Sequence, residues 1–145
     1  HSLFLNTDGF VYSCGLNSSG QLGLNSTSIA KIPTLIASFS NITEISSGFS
    51  HSLFLKTDNT VYGCGINTSY QLGLNDNTNK LVPTYIPSLS NIIQISGGDT
   101  HSLFLNSDGT VYSCGSGANG RLGLNDTQTR MVPTLIPTLS EVVKI

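Results

Sequence analysis

Charge is scarce in this chain: Asp, Glu, Lys and Arg make up 10% of its 145 residues, and the formal net charge is −2. There is no basic stripe to neutralise phosphates, so nucleic acid is not an expected partner. No apolar run approaches the ~20 residues that a helix needs to span a bilayer, so no membrane partner is expected either. No signal peptide is visible and the first residue is His1 rather than Met, so the natural start is expected upstream. Cysteine is limited to Cys14, Cys64 and Cys114, spaced too far apart for a C-x-x-C pair. Such single thiols are expected to be reduced, buried small hydrophobes in an intracellular protein. The Gly115-Ser116-Gly117 stretch lacks the Gly-Lys-Ser/Thr ending of a phosphate loop. Neither a metal nor another cofactor is expected. With 38% hydrophobic residues and so little charge, the chain is not expected to be disordered.

What the chain has is repetition. HSLFL begins at 1, 51 and 101, VY-x-CG at 11, 61 and 111, LGLN at 22, 72 and 122, and PT-x-I at 33, 83 and 133. The period is 50 residues without insertion, the length of a four-stranded propeller blade rather than of the shorter helical repeats. Residues 1–5 and 10–14 are short β-favouring runs joined by Asp8-Gly9, which becomes Asp58-Asn59 and Asp108-Gly109 in the later copies. Asp-Gly between apolar runs signals a hairpin, here expected as a type I′ turn. Leu3 and Leu5 alternate with Phe4, so both faces of the strand are apolar and both need cover, as stacked blades provide. Pro33, Pro83 and Pro133 each remove a ladder donor and belong at a strand's first position or on an edge.

The expected fold is all-β: a β-propeller of four-stranded antiparallel blades. Strands are predicted at about 2–6, 10–14, 33–36 and 42–46, with the same offsets in later copies. Residues 1–145 read as one partial propeller, with copies 1–50, 51–100 and an incomplete 101–145. Propellers have roughly 4 to 8 blades, so three form an open arc of a larger ring. Its two end faces are expected to be covered by remaining blades of the same chain or by a neighbouring subunit.

Two junctions, ISSGFSHSLFL (45–55) and ISGGDTHSLFL (95–105), are followed by DNTVYGCG or DGTVYSCG and then by QLGLN or RLGLN. This resembles the repeat of the regulator of chromosome condensation family across the whole chain. The resemblance implies a propeller, usually seven-bladed. It also implies structural roles for Gly48, His51, Gly98 and His101, and for the repeat glycines Gly15, Gly65, Gly115, Gly23, Gly73 and Gly123. The family commonly has Trp where this chain has its three cysteines. Phe4, Phe54 and Phe104 are the candidates to fill the space, since a cavity there costs ~24 cal/mol per Å³.

His1, His51 and His101 are the residue types of a metal or acid–base site. Repeat positions on packed sheets lie ~10 Å apart, however, whereas zinc holds its ligand nitrogens at ~2.0–2.1 Å. With the resemblance, this leads to the expectation that His51 and His101 bond the backbone of their own turns, while His1 has no such turn before it in this sequence. Asp8, Asp58 and Asp108 read as turn caps. No catalytic constellation is present, and the protein is not expected to be an enzyme. The connection 16–32 differs between copies. Its Tyr70, Arg121, Lys31, Lys80 and Arg130 are the candidate partner-binding residues, because specificity on rigid scaffolds sits in variable loops.

The expected function is a non-catalytic protein-interaction scaffold, in a cytoplasmic, cytoskeletal, ciliary or nuclear setting. The first alternative is guanine-nucleotide exchange on a small GTPase, the activity of the family's founding member. That activity relies on a hairpin wedge, and these blades show no insertion that could form one. The second is a secreted propeller-type inhibitor, for which the Asn-x-Ser/Thr triplets at Asn17, Asn25, Asn41, Asn67 and Asn125 give slight support.

Overall fold

The computed structural model describes residues 1–145, which form three antiparallel sheets. The first contains β1 (Ser2–Leu5), β2 (Val11–Gly15) and β3 (Ala30–Leu35). The second contains β4 (Ile42–Ser47), β5 (His51–Lys56), β6 (Val61–Gly65) and β7 (Lys80–Tyr85). The third contains β8 (Ile92–Gly97), β9 (His101–Asn106), β10 (Val111–Gly115) and β11 (Arg130–Leu135). Within a sheet every strand pairs with the next in sequence, and one 3₁₀ turn, Ala118–Gly120, is the sole helical element. No helix is long and apolar enough to cross a membrane. The inner strands β4 and β8 approach one another, while β3, β7 and β11 form the outer edges. The result is an open arc of three propeller blades.

The sheets are out of phase with the sequence copies. Strand β4 closes the first copy in sequence, yet it pairs with β5 of the second, with Ile45 opposite Phe54. The reason is local. Only Gly48, Phe49 and Ser50 separate β4 from His51, and the Gly48 amide bonds the His51 carbonyl at 2.9 Å, so the two strands close as a hairpin. The connections that cross from blade to blade are 36–41 and 86–91.

The hairpins at Asp-Gly are not type I′. The Gly9 amide bonds the Asn6 carbonyl at 3.1 Å and the Asn6 amide bonds the Phe10 carbonyl at 3.0 Å, enclosing a three-residue loop. Only its last residue has positive φ: Gly9 at 76°, Asn59 at 63° and Gly109 at 82°. A type I turn followed by one left-handed residue meets this geometry, whereas type I′ needs two. Pro33 lies inside β3 rather than at its start. It falls opposite the bulge between Ser13 and Gly15 on an edge strand, where no ladder donor is lost.

The core lies between sheets rather than within one. Between blades 1 and 2, Val11, Ile36, Phe39 and Ile42 pack with Phe54 and Cys64. Between blades 2 and 3, Leu53, Leu72, Ile86 and Ile92 pack with Phe104 and Cys114. Each junction buries apolar surface from two neighbouring copies, so neighbour contact dominates stability, as in other repeat folds.

Candidate functional site

The longest connections all emerge at one end of the arc. Strand β6 ends at Gly65, opposite His51, and the Ile66 amide bonds the Ser50 carbonyl at 2.8 Å. In blade 3 the Ser116 amide bonds the Thr100 carbonyl at 2.9 Å. The 66–79 and 116–129 loops therefore stand beside the short 47–50 and 97–100 turns. The three-residue hairpins occupy the opposite end.

A buried asparagine organises each of the first two long loops. Asn17 accepts from the Leu22 amide at 2.9 Å and donates to the Ser26 and Ser28 carbonyls at 2.8 and 3.0 Å. Asn67 repeats this with the Leu72 amide at 2.9 Å and the Asp76 carbonyl at 2.6 Å. Both are fully buried, so these two Asn-x-Ser/Thr triplets serve as loop ties in the folded chain.

The candidate binding residues have unequal freedom. The Lys80 ammonium is paired with Asp76 at 2.9 Å, and the Arg130 guanidinium with Asp126 at 2.6 Å, each within its own loop. Burial opposes the Asp76 charge, but bonds from Thr78 and Lys80 outweigh it and hold the carboxyl down at about 2. Arg121 bonds the Thr100 hydroxyl at 2.7 Å and the Ala118 carbonyl at 2.9 Å. Lys31 is exposed, beside Leu16 and Ile29.

Tyr70 is half-buried with φ of 62°, at the position where the other copies have Gly20 and Gly120. A non-glycine side chain pays ~1–2 kcal/mol to adopt this left-handed conformation. Every other non-glycine residue of positive φ is Asn, Ser or Glu. Tyr70→Gly is expected to leave stability within about 0.5 kcal/mol, because strain relief offsets the lost contacts and glycine's chain entropy. Urea unfolding checks this, and a loss above ~1.5 kcal/mol would make the ring a structural part of the fold.

Sequence reasoning missed Phe49. Its side chain is 77% exposed, while its amide is fixed to the Gly98 carbonyl of the next blade at 3.2 Å. The available signal was an aromatic residue in a turn of small residues, at the position where the next copy has Asp99.

His51 and His101 do not bond the backbone of their own turns, contrary to expectation. His51 Nε2 lies 3.0 Å from the Ser102 hydroxyl of the next blade, and His1 Nε2 lies 2.9 Å from that of Ser52. The own-turn backbone is committed elsewhere, since the Gly48 amide bonds the His51 carbonyl. Ser102 passes its hydroxyl proton to the Gln71 carbonyl at 2.6 Å, as Ser52 does to Gln21 at 2.7 Å. The thiols of Cys114 and Cys64 point at the same two carbonyls, at 3.4 and 3.6 Å. Burial pushes both thiols far up, so they stay protonated. Cys14 departs from expectation: it is only half-buried, because no sheet covers its face of blade 1.

Both junctions thus carry the same set, with a His and a Gln carbonyl of one blade meeting a Ser and a Cys of the next. A sequence profile described as the regulator of chromosome condensation (RCC1) repeat matches residues 8–55, 58–105 and 108–145. The chain belongs to the regulator of chromosome condensation repeat family. A second profile of these repeats matches 42–71 and 92–121.

Solved members of the family superpose well. Prp20p from Saccharomyces cerevisiae, whose structure was reported with its binding properties toward Gsp1p and histones, aligns at TM-score 0.83 and 26% identity. That alignment covers 92% of this chain and 35% of Prp20p. The same yeast protein bound to Kap60 aligns at TM-score 0.85 and 26% identity, over 92% of this chain and 34% of that one. Human WBSCR16 aligns at TM-score 0.82 and 29% identity, over 93% of this chain and 35% of that one. The chain spans about a third of the length of these relatives. No curated protein sequence matches it.

Where the family commonly has Trp, the cysteines of these RCC1 repeats sit against glycine. The Cys64 sulfur lies 3.3 Å from where a Cβ on Gly23 would project, and Cys114 lies 3.1 Å from that of Gly73. Phe54 and Phe104 are fully buried in the same clusters as these cysteines and help fill the junctions, but Phe4 is 46% exposed.

Proposed function

We propose that this RCC1-repeat arc is a non-catalytic scaffold that binds a protein partner through its long-loop end, with Phe49 and Tyr70 as contacts. The observation that carries this reading is that two aromatic side chains at one end impose costs the fold does not need. Phe49 is exposed to water on a backbone bonded to the next blade, and Tyr70 is held in a left-handed conformation. Strained and exposed residues on rigid supports concentrate at binding sites, and aromatic anchors dominate interface energetics. Lys80 and Arg130 act as loop ties, while Arg121 and Lys31 are placed as rim contacts. The binding of Gsp1p and histones reported for Prp20p supports a protein as the class of partner.

Affinity capture from the source cells with quantitative mass spectrometry tests the reading. The wild-type chain is compared with Phe49→Asp/Tyr70→Gly and with a hairpin-end control, Asp58→Asn. At least one protein is expected to be lost at least tenfold from the loop-end variant and retained by the control. If no captured protein depends on the loop end, the scaffold reading fails. Accelerated nucleotide release from a small GTPase by the wild-type chain would favour the exchange-factor alternative.

A further inference from the structure

His51 is wholly buried at the junction of blades 2 and 3. Its ring packs so closely on Gly48 that a Cβ there would lie 2.1 Å from Cε1 and 2.4 Å from Nδ1. Ser102 has one hydroxyl proton, and the Gln71 carbonyl takes it at 2.6 Å. The bond between Ser102 and His51 Nε2 must therefore be donated by Nε2–H, which fixes the tautomer. Nδ1 is left with a bare lone pair and no hydrogen-bond partner. A proton added to Nδ1 would create a buried cation whose new N–H has no acceptor, and the cost of that is high.

We propose that the junction between blades 2 and 3 is an acid-released latch, in which protonation of His51 uncouples the two sheets while the strands within each stay paired.

Of the charged groups near the junction, only Glu44 opposes the release. On β4, Glu44 accepts from the Ile95 amide across the junction at 3.2 Å. Burial raises the pKa of Glu44 above the ordinary carboxylate value, so its protonation on acidification favours the closed form and opposes the release. The turn before β9 carries Asp99, β9 begins with His101, and Arg121 reaches Thr100 from the next loop. A charge on His101 adds repulsion. Strand β6 carries no charged side chain, and β5 carries Lys56 at its far end.

Burial, followed by His101, lowers His51 from 6.5 to about 4. The open form titrates at the ordinary value, so between pH 6.5 and 4 it binds more protons than the closed form. The latch is complete above pH 6.5, weakens about tenfold per pH unit as pH falls, and levels off below 4, about 300-fold in all.

Amide exchange followed by NMR, expressed as protection factors, reads this directly. The Gly97 amide bonds the Ser46 hydroxyl across the junction at 2.9 Å, and Ile95 bonds Glu44. Between pH 7 and 4 their protection is expected to fall by up to about 300-fold in the wild type, Glu44 reducing the His51 effect, while amides of the β9–β10 ladder lose less than tenfold. In His51→Gln, whose amide can donate to Ser102 without titrating, the fall is expected to stay below tenfold. Should His51→Gln not fold, direct titration of the wild-type imidazole decides instead, and its midpoint is expected to track the loss of Gly97 protection. Protection at Gly97 that ignores pH, or that falls together with the β9–β10 ladder, overturns the proposal.

Discussion

Gly48→Ala is expected to destabilise the chain by about 3 kcal/mol, measured by urea unfolding at neutral pH. The added methyl would stand 2.1 Å from His51 Cε1 and 2.6 Å from the Gly98 carbonyl. Neither neighbour can yield. His51 is enclosed and bonded to Ser102, and the Gly98 carbonyl accepts from Phe49. Overpacking of a closed site costs ~1–3 kcal/mol, and displacing the imidazole leaves buried polar groups without partners, at a further ~1–3 kcal/mol. Gly98→Ala supplies the control. Its methyl would meet His101 Cε1 at the same 2.1 Å, but in the 145-residue arc taken alone that ring is only half-buried and can swing away, so the expected cost there is about 1 kcal/mol. Equal losses at the two positions would show that the fit between glycine and a clamped histidine is not what makes Gly48 necessary.

Phe54→Ala is expected to cost about 4 kcal/mol, within the range for emptying a buried phenylalanine site. Phe54 is fully buried between blades 1 and 2, with the Phe39 ring edge-on at a centroid distance of 5.2 Å. Phe39 in turn meets Tyr62 at 5.5 Å, and the Lys56 ammonium lies over both rings at 5.8 and 5.2 Å. Truncating Phe54 opens a cavity at the base of this stack. Phe4 occupies the same repeat position and is 46% exposed in the 145-residue arc, so in that arc taken alone Phe4→Ala is expected to cost less than about 1 kcal/mol. This pair separates burial from residue identity. Similar losses for both would mean that the junction is not the seat of stability.

Much of the strand plan was legible because the 50-residue period and alternating apolar runs constrain it. The predicted 10–14, 33–36 and 42–46 appear as Val11–Gly15, Ala30–Leu35 and Ile42–Ser47. A periodic sequence leaves its phase open, however, so the assignment of β4 to the following blade had to come from three dimensions. The histidine partner was hidden for a related reason. Ser102 lies 51 residues from His51, and nothing local distinguishes a serine that faces a neighbouring sheet from one that faces solvent. The turn type failed because Asp-Gly suits two loops that differ by one residue, and only the ladder register separates them. At the candidate site, Tyr70 was visible as a break in the repeat. Phe49 was hidden because one aromatic residue in a turn gives no sign of whether it is covered.

The offset between copies and sheets also bears on protein engineering. A break at 50/51, which the sequence pattern invites, falls inside the β4–β5 hairpin and splits a sheet between two products. Each product would then carry a raw, unpaired edge that invites aggregation. Breaks within 36–41 or 86–91 leave all three sheets whole. Those connectors are the places to add, remove or permute blades, and a library of longer or shorter arcs should be joined there.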